Sequence, residues 1–500
     1  MFKTTRFLLF VFSFVSHFAS YSQEEGGPGI SQPARLEFEA TTSDSYYEVY
    51  PLQDSALFVY AHNYAGFSSK ESFTFSKYDD QLNPIWSGTL PLKDDYTLQQ
   101  VYADRNYIYL LFLTYRPWEF VLYKVNSFNA AYTEQTYDLR DYDLPADLKI
   151  DSFKALGNQI FITAYDLRHL IVMHLDFRTD QIKTLPALYD RPDALAAFNM
   201  DTATQRAEFI LSESNGRVGR MQVKRFTPTG DLRSIKIVQS KLNRSLITGQ
   251  LSPGDSIRKT LVGTYSLRDI RYAQGIFTSQ LFDDQSEIYY YDFKSLHHFF
   301  DYMRKGRRER LYRKAARFKA KDKEFRLRYR ILLHDIVYYD QGMLLVAEAY
   351  YPQYTSSNSY NYGLGPSTRI FDGYRYTHTI VCAFDKSGKL LWDNSFTLKD
   401  AMQDNLVENT QLARDGDKLI MAYSDEKVIR YKIIQQDSVS DNNLKVAVRP
   451  THENEKVVEA EKTGLLQWYG NVFIAYGYQR VRPSHSPARQ IFYLNKVVFE

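Results

Sequence analysis

The feature that most narrows what this chain can fold into is a spacing. Short apolar runs recur along it, beginning at Ala56, Ile108, Ile160, Glu208, Leu261, Met343, Leu419 and Val472. The first five lie about fifty residues apart, a period typical of propeller blades and foreign to the common helical arrays. Most follow a turn signal, such as Asp104, Gly157 with Asn158, Asp415-Gly416-Asp417 or Tyr469 with Gly470. Asp, Asn and Gly suit tight backbone reversals there.

One unit shows the repeat most completely. Residues 379–384 are β-branched and apolar, Asp385-Lys386-Ser387-Gly388 puts glycine where a positive φ is wanted, and residues 389–398 run out as a second strand. Tyr78 to Trp86 and Phe384 to Trp392 span the same nine positions around such a turn. Units of four antiparallel strands, covered on both faces by their neighbours, explain why Tyr107–Leu113 is continuously apolar instead of alternating. The last unit, residues 464–500, holds three strands, and residues 34–40 alternate like an outer strand that would supply the fourth. Closing the ring this way removes an open edge. The expected fold is therefore an all-β β-propeller of eight four-stranded blades spanning residues 23–500 and closed by an N-terminal strand. Seven blades result if the fourth or fifth unit is shared.

Residues 1–22 have the form of an export signal, with Lys3 and Arg6 ahead of the apolar stretch 7–18 and Ser20-Tyr21-Ser22 before Gln23. The apolar stretch, about 12 residues, is short for a membrane span, and no transmembrane segment is expected. The protein is expected in the periplasm or at the cell surface. Cys382 is the single cysteine, so no internal disulfide forms; it sits in an apolar strand pattern, which points to a buried, inert thiol.

Two insertions interrupt the pattern. Residues 294–330, between the fifth and sixth units, hold 15 Lys plus Arg against 4 Asp plus Glu. With the signal removed, the rest of the chain is net acidic, so this is a basic arm on an acidic body. Ser295 is a candidate N-cap, Gly306 a break, and Leu311, Ala315, Phe318, Phe325 and Tyr329 fall on one stripe. That predicts a short helix and then one of about 20 residues, roughly 30 Å long. Residues 351–376 separate the second and third strands of the sixth unit and are rich in Tyr, Ser, Asn and Gly. That is the composition of adaptable binding loops. In a four-stranded blade, the connection to the next blade and the loop between second and third strands emerge on one face. Arm and loop are therefore expected side by side, with Arg307, Arg308, Arg310, Arg313, Tyr354, Tyr360, Tyr362, Tyr374 and Tyr376 as the binding residues.

No nucleophile elbow, P-loop, zinc-protease helix or paired C-x-x-C occurs, and the adjacent His297 and His298 lack the spacing that grips zinc. No cofactor, metal or nucleic-acid partner is expected. The stretch from Ala383 to Trp392 resembles the repeat of pyrroloquinoline-quinone-type propellers, a resemblance that implies the fold and not the cofactor. The basic arm followed by residues 332–354 and 371–378 is also similar to exported bacterial β-propeller proteins. The expected function is a non-enzymatic binding or scaffold protein of the cell envelope that holds a partner protein, glycan or anionic surface. The alternatives are an envelope glycan hydrolase or lyase with carboxylates in the central funnel, and a purely structural assembly factor.

Overall fold

In the computed structural model, residues 29–500 are described except 65–71, 93–95, 115, 117, 143, 146–147, 168, 186–193, 215–217, 241–243, 255–258, 282–286, 341, 357–368 and 485. The expected export signal, Tyr360 and Tyr362 lie outside the described residues. Eight antiparallel sheets follow one another along the chain, and the fourth and fifth units are separate four-stranded blades, which excludes a seven-bladed ring. Blade 1 starts at Ser45, and blade 8 consists of Glu455–Tyr469, Val472–Pro483 and Arg489–Phe499. The strand Arg35–Glu39 completes blade 8 by pairing with its third strand, Leu36 opposite Leu494 and Phe38 opposite Phe492. The N-terminal closure expected from residues 34–40 is thus formed.

The continuously apolar runs have a simple cause. Within Tyr107–Leu113 of blade 2, Ile108, Leu110 and Phe112 pack toward blade 1, whereas Tyr109 and Leu111 pack toward blade 3. A period of two is present, but both phases are buried. The same division gives eight apolar clusters, one for each junction in the ring. The last of them joins Trp468, Ile474 and Phe492 of blade 8 to Val49, Leu57 and Tyr78 of blade 1, with Leu36 and Phe38 packed against it.

A polar clasp recurs across these junctions. A side chain on the third strand of one blade reaches a carbonyl in the turn between third and fourth strands of the next. Lys77 Nζ meets Ser127 O at 2.9 Å, His174 Nε2 meets Pro228 O at 2.9 Å, Thr278 Oγ1 meets Gly388 O at 2.6 Å, and Lys496 Nζ meets Asp80 O at 2.7 Å. Two of those turns are held by an aspartate. Asp385 Oδ1 accepts the N–H groups of Ser387 and Lys389 while Gly388 takes a φ of 84°, and Asp79 Oδ1 accepts those of Gln81 and Asn83. A stiff turn offers its carbonyl in a fixed place.

Both insertions differ in part from expectation. The described part of residues 351–376 is not a loop: Gly342–Ser356 and Arg369–Phe384 are two long strands paired out to Ser356 and Arg369. Aromatic residues suited to a pleated surface carry the hairpin beyond the blade. In the arm, a single helix runs from Lys305 to Lys319, so it is about 22 Å long and not roughly 30 Å. Gly306 lies in its first turn and does not break it. Ser295 caps nothing; its hydroxyl donates to Asp292 O. Residues 294–303 are turns because the Asp393 carboxylate holds the N–H groups of His297 and His298, and because the consecutive Phe299 and Phe300 are both buried. Adjacent residues on one helix point about 100° apart and would not both enter the core. Cys382 is buried as expected.

Candidate functional site

The arm is rooted in the core and basic above it. Phe293, Leu296, Phe299 and Phe300 enter the apolar cluster between blades 5 and 6. The helix then lays Leu311, Ala315 and Phe318 toward the body, the half-buried stripe expected from the sequence. Phe325 and Tyr329, expected on the same helix, lie beyond it. The chain reverses at Asp322, with a φ of 49°, and Phe325 returns onto Phe318 at 5.5 Å. The returning segment is stitched to the turn between second and third strands of blade 5. Gln274 Nε2 donates to Leu327 O at 2.7 Å, Leu327 N–H donates to Gln274 Oε1 at 2.9 Å, and Ala273 N–H donates to Tyr329 O.

Beneath the helix sits an aromatic clamp. Tyr302 stacks on His378 at 4.2 Å, Phe299 meets the same imidazole edge-on at 4.8 Å, and the Tyr302 and Tyr329 hydroxyls are 2.7 Å apart. Full burial pushes His378 down to about 3, so the ring is neutral and serves as packing.

Between the arm, the blade-5 turn and the root of the blade-6 hairpin lies an open groove of about 1570 Å³. Arg307, Arg310 and Lys314 line it from the helix, at spacings of three and four that put them on one face. Lys323, Arg326 and Arg328 line it from the returning segment, and Arg268 from blade 5. Tyr272, Tyr302, Tyr329, Tyr350 and Tyr351 lie between these cations. Three carboxylates share the lining, Asp269, Asp322 and Glu324, of which Asp269 is held by the Arg271 guanidinium and lowered to about 2 by it. Among the described residues, Arg268, Arg307, Arg310, Lys314, Lys323 and Arg328 form no ion pair. The groove is a wet, net-positive trough with an aromatic floor.

The structure thus joins arm and hairpin on one face but divides the expected residues. Arg307 and Arg310 face the groove. Arg308 is paired with Asp301, and Arg313 is exposed elsewhere on the helix. Tyr354 is exposed on the hairpin, in an aromatic ladder with Phe371 at 5.7 Å, which meets Tyr374 at 5.1 Å. Tyr376 is buried and not available to a ligand, a correction to the expected site. Its hydroxyl donates to Val407 O at 2.6 Å and accepts the Val407 N–H at 3.1 Å, tying down the segment between blades 6 and 7. Tyr376→Phe is expected to lower stability by about 1 kcal/mol, because water can replace the lost partner at exposed Val407. A urea titration checks this, with ligand binding in the groove unchanged. Lys314, Lys323, Arg328, Arg268 and Tyr350 belong to the groove and were not singled out in sequence. The usable signal was topological, since the turn carrying Arg268 emerges on the same face.

The central funnel holds a second charged cluster. His334, at the end of the inner strand Arg330–Leu333, lies with Nε2 3.2 Å from Glu348 Oε1 and Nδ1 3.6 Å from Glu408 Oε2. Burial pushes this imidazole down, but the two carboxylates more than reverse that and raise it. Glu348 is fully buried and accepts the N–H groups of Asn409 and Thr410. It fastens the same segment that Tyr376 holds. Among the described residues, no group of three or more His, Cys, Asp or Glu is placed to hold a metal, and no helix is long and apolar enough to cross a membrane.

No family model matches this chain, and a search of curated proteins finds no match. Solved structures do resemble it. The polysaccharide lyase Uly1 aligns with a TM-score of 0.38 and 10% identity over 94% of this chain and 100% of its own. The β-propeller domain of the Trilobed protease from Pyrococcus furiosus gives 0.35 and 7% over 80% and 94%. Prolyl oligopeptidase B from Galerina marginata gives 0.40 and 8% over 87% of this chain and 55% of its own. Likeness at this level concerns the propeller fold alone.

Proposed function

We propose that this protein is a non-enzymatic binding propeller of the cell envelope, exported by its first 22 residues, that holds an elongated anionic partner in the groove beneath its basic arm. One observation carries the reading: six cations from three separate chain segments converge on one trough without ion-pair partners among the described residues. Charges left unpaired on a solvated arm are ordinary; charges from three segments facing one another across aromatic rings form a binding geometry.

The enzyme reading rests on the charged cluster at His334. Glu348 is committed to backbone amides, while Glu408 and the exposed Asp335 remain beside the imidazole. Hydrolysis of a glycosidic bond would need two such carboxylates flanking the scissile bond.

The test is binding of dextran sulfate, a polyanion without sequence or lipid character, measured against salt. Wild type is expected to bind at low ionic strength, with affinity falling as salt rises. The double variant Arg307→Glu with Arg310→Glu is expected to weaken binding by at least about tenfold, while its melting temperature stays within about 2 °C because both side chains are exposed. Absence of wild-type binding, or an unchanged affinity in the variant, would sink the proposal.

A further inference from the structure

The groove beneath the arm offers more than positive charge. Tyr302 and Tyr329, both half-buried in its lining, bond to each other through their hydroxyls at 2.7 Å, and among the described residues neither hydroxyl has another partner. Such a pair spends one O–H on itself, so one hydrogen and further lone pairs stay free for a ligand. Burial raises both phenols above the ordinary tyrosine range, although Arg307 lies close enough to oppose the shift, so both keep their hydrogens. A guanidinium thus stands beside a neutral donor and acceptor. The pairing recurs at Tyr350, whose phenol burial keeps neutral against the pull of Arg330. On the returning segment, the exposed Asp322 and Glu324 set acceptors among the cations; Glu324 meets Arg326 at 3.8 Å, and Asp322 forms no ion pair among the described residues. From the hairpin, Tyr351 adds a ring that is 44% exposed.

We infer that the occupant of this groove is an acidic polysaccharide, a choice that rests on the polyanion reading above and narrows it to one class of ligand. Its charged groups lie on the cations of the arm, its hydroxyls on the tyrosine pair and the two carboxylates, and one sugar face on Tyr351. A substituted sugar carries all three chemistries in one residue. Its acidic group meets a guanidinium or ammonium. Its hydroxyls donate to Asp322 or Glu324 and exchange hydrogen bonds with the phenols. The C–H bonds on one face of its ring meet the electron-rich face of a tyrosine. Other polyanions match the lining only in part. A bare phosphate chain brings acceptors alone, so Asp322 and Glu324 repel it and the phenols find no donor. An acidic peptide carries its N–H donors on the backbone, behind the side chains that reach the cations.

The experiment is calorimetric titration of the full chain with three polyanions at matched charge: dextran sulfate, inorganic polyphosphate and poly-glutamate. Dextran sulfate is expected to bind at least about tenfold more tightly than either of the others. At about 1 M salt, where charges are screened within about 3 Å, it alone is expected to keep measurable affinity. Two variants then probe the uncharged contacts. Tyr302→Phe combined with Tyr329→Phe removes both hydroxyls together, which leaves neither one unsatisfied and costs the fold little. Tyr351→Ala removes the exposed ring. Each variant is expected to weaken dextran sulfate by about fivefold or more and polyphosphate by less than about twofold. Circular dichroism and the melting temperature separate loss of the site from loss of the fold. Equal affinity for the three polyanions overturns the choice of a glycan, as do variants that weaken all three alike or none. Tightest binding of poly-glutamate would give the groove to an acidic protein segment, and of polyphosphate to a phosphate chain. If none of the three binds, the polyanion reading falls as well; if all bind alike, only the glycan falls.

Discussion

Replacing Lys259 with methionine is expected to lower the free energy of unfolding by about 3–5 kcal/mol, the cost of leaving a buried ion network without one of its charges. Lys259 is 2% exposed and crosses from blade 5 into blade 4, where its ammonium lies 2.5 Å from Asp201 and 2.6 Å from Glu208. Arg225 Nε reaches the other Glu208 oxygen at 3.1 Å. Among the described residues, two cations thus face two carboxylates in a buried junction. Without Lys259, two buried carboxylates share one guanidinium. Burial alone raises the Asp201 carboxyl, but hydrogen bonds from Lys259 and Thr204 outweigh that and hold it below its usual value. A depressed carboxyl contributes stability that is present above its unfolded pKa, about 3.9, and is lost as pH falls through the folded value. The variant forfeits this contribution, so its deficit is expected to be large at pH 7 and to narrow below about pH 4 as the carboxylates protonate. Urea unfolding at both pH values measures it; an equal deficit at both would show that lost packing, not lost charge, is responsible.

Removing the closing strand is expected to have the other large effect. A chain that begins at Thr41 lacks Leu36 and Phe38, which pack against the cluster joining blades 8 and 1. It also leaves residues 491–495 of the last strand without a partner on their outer edge. Deleting two large apolar side chains costs on the order of 5 kcal/mol, and the bare edge invites pairing between chains. The melting temperature is expected to fall by roughly 5–10 °C relative to a chain that begins at Gln23. Concentration-dependent association should appear on size exclusion. A synthetic peptide of residues 29–40 added in trans should recover part of the loss by strand addition. If the shortened chain melts like the longer one and stays monomeric, the ring is closed by side-chain packing alone.

How much of this was legible in the sequence follows from the range of the forces involved. The blades were legible because each is built from local hairpins, whose turns and apolar runs are contiguous in the chain. The closure was legible because a three-stranded last unit and a lone alternating segment at residues 34–40 fit only each other. Placing arm and hairpin on one face needed only strand alternation, and Arg307, Arg310, Tyr350 and Tyr351 do line one groove. What escaped is whatever joins one unit to another. Lys259, Tyr376, and the clasps from Lys77 and Lys496 look like ordinary surface residues in sequence, since their partners lie 31 to 416 positions away. Composition also misled: the tyrosines of residues 351–376 suggested a loop, yet several satisfy a sheet instead.

The way the ring is closed also sets how the molecule would be displayed. The closing strand enters beside the last one, where Gly29 O accepts the Glu500 N–H, so both described ends leave from blade 8 on the side of the turns between third and fourth strands. The arm, the groove and the funnel mouth open on the other side. A molecule grafted onto a surface through either end would therefore point its groove away from that surface. Immobilising it through the amino or the carboxyl end should present the same outward-facing trough.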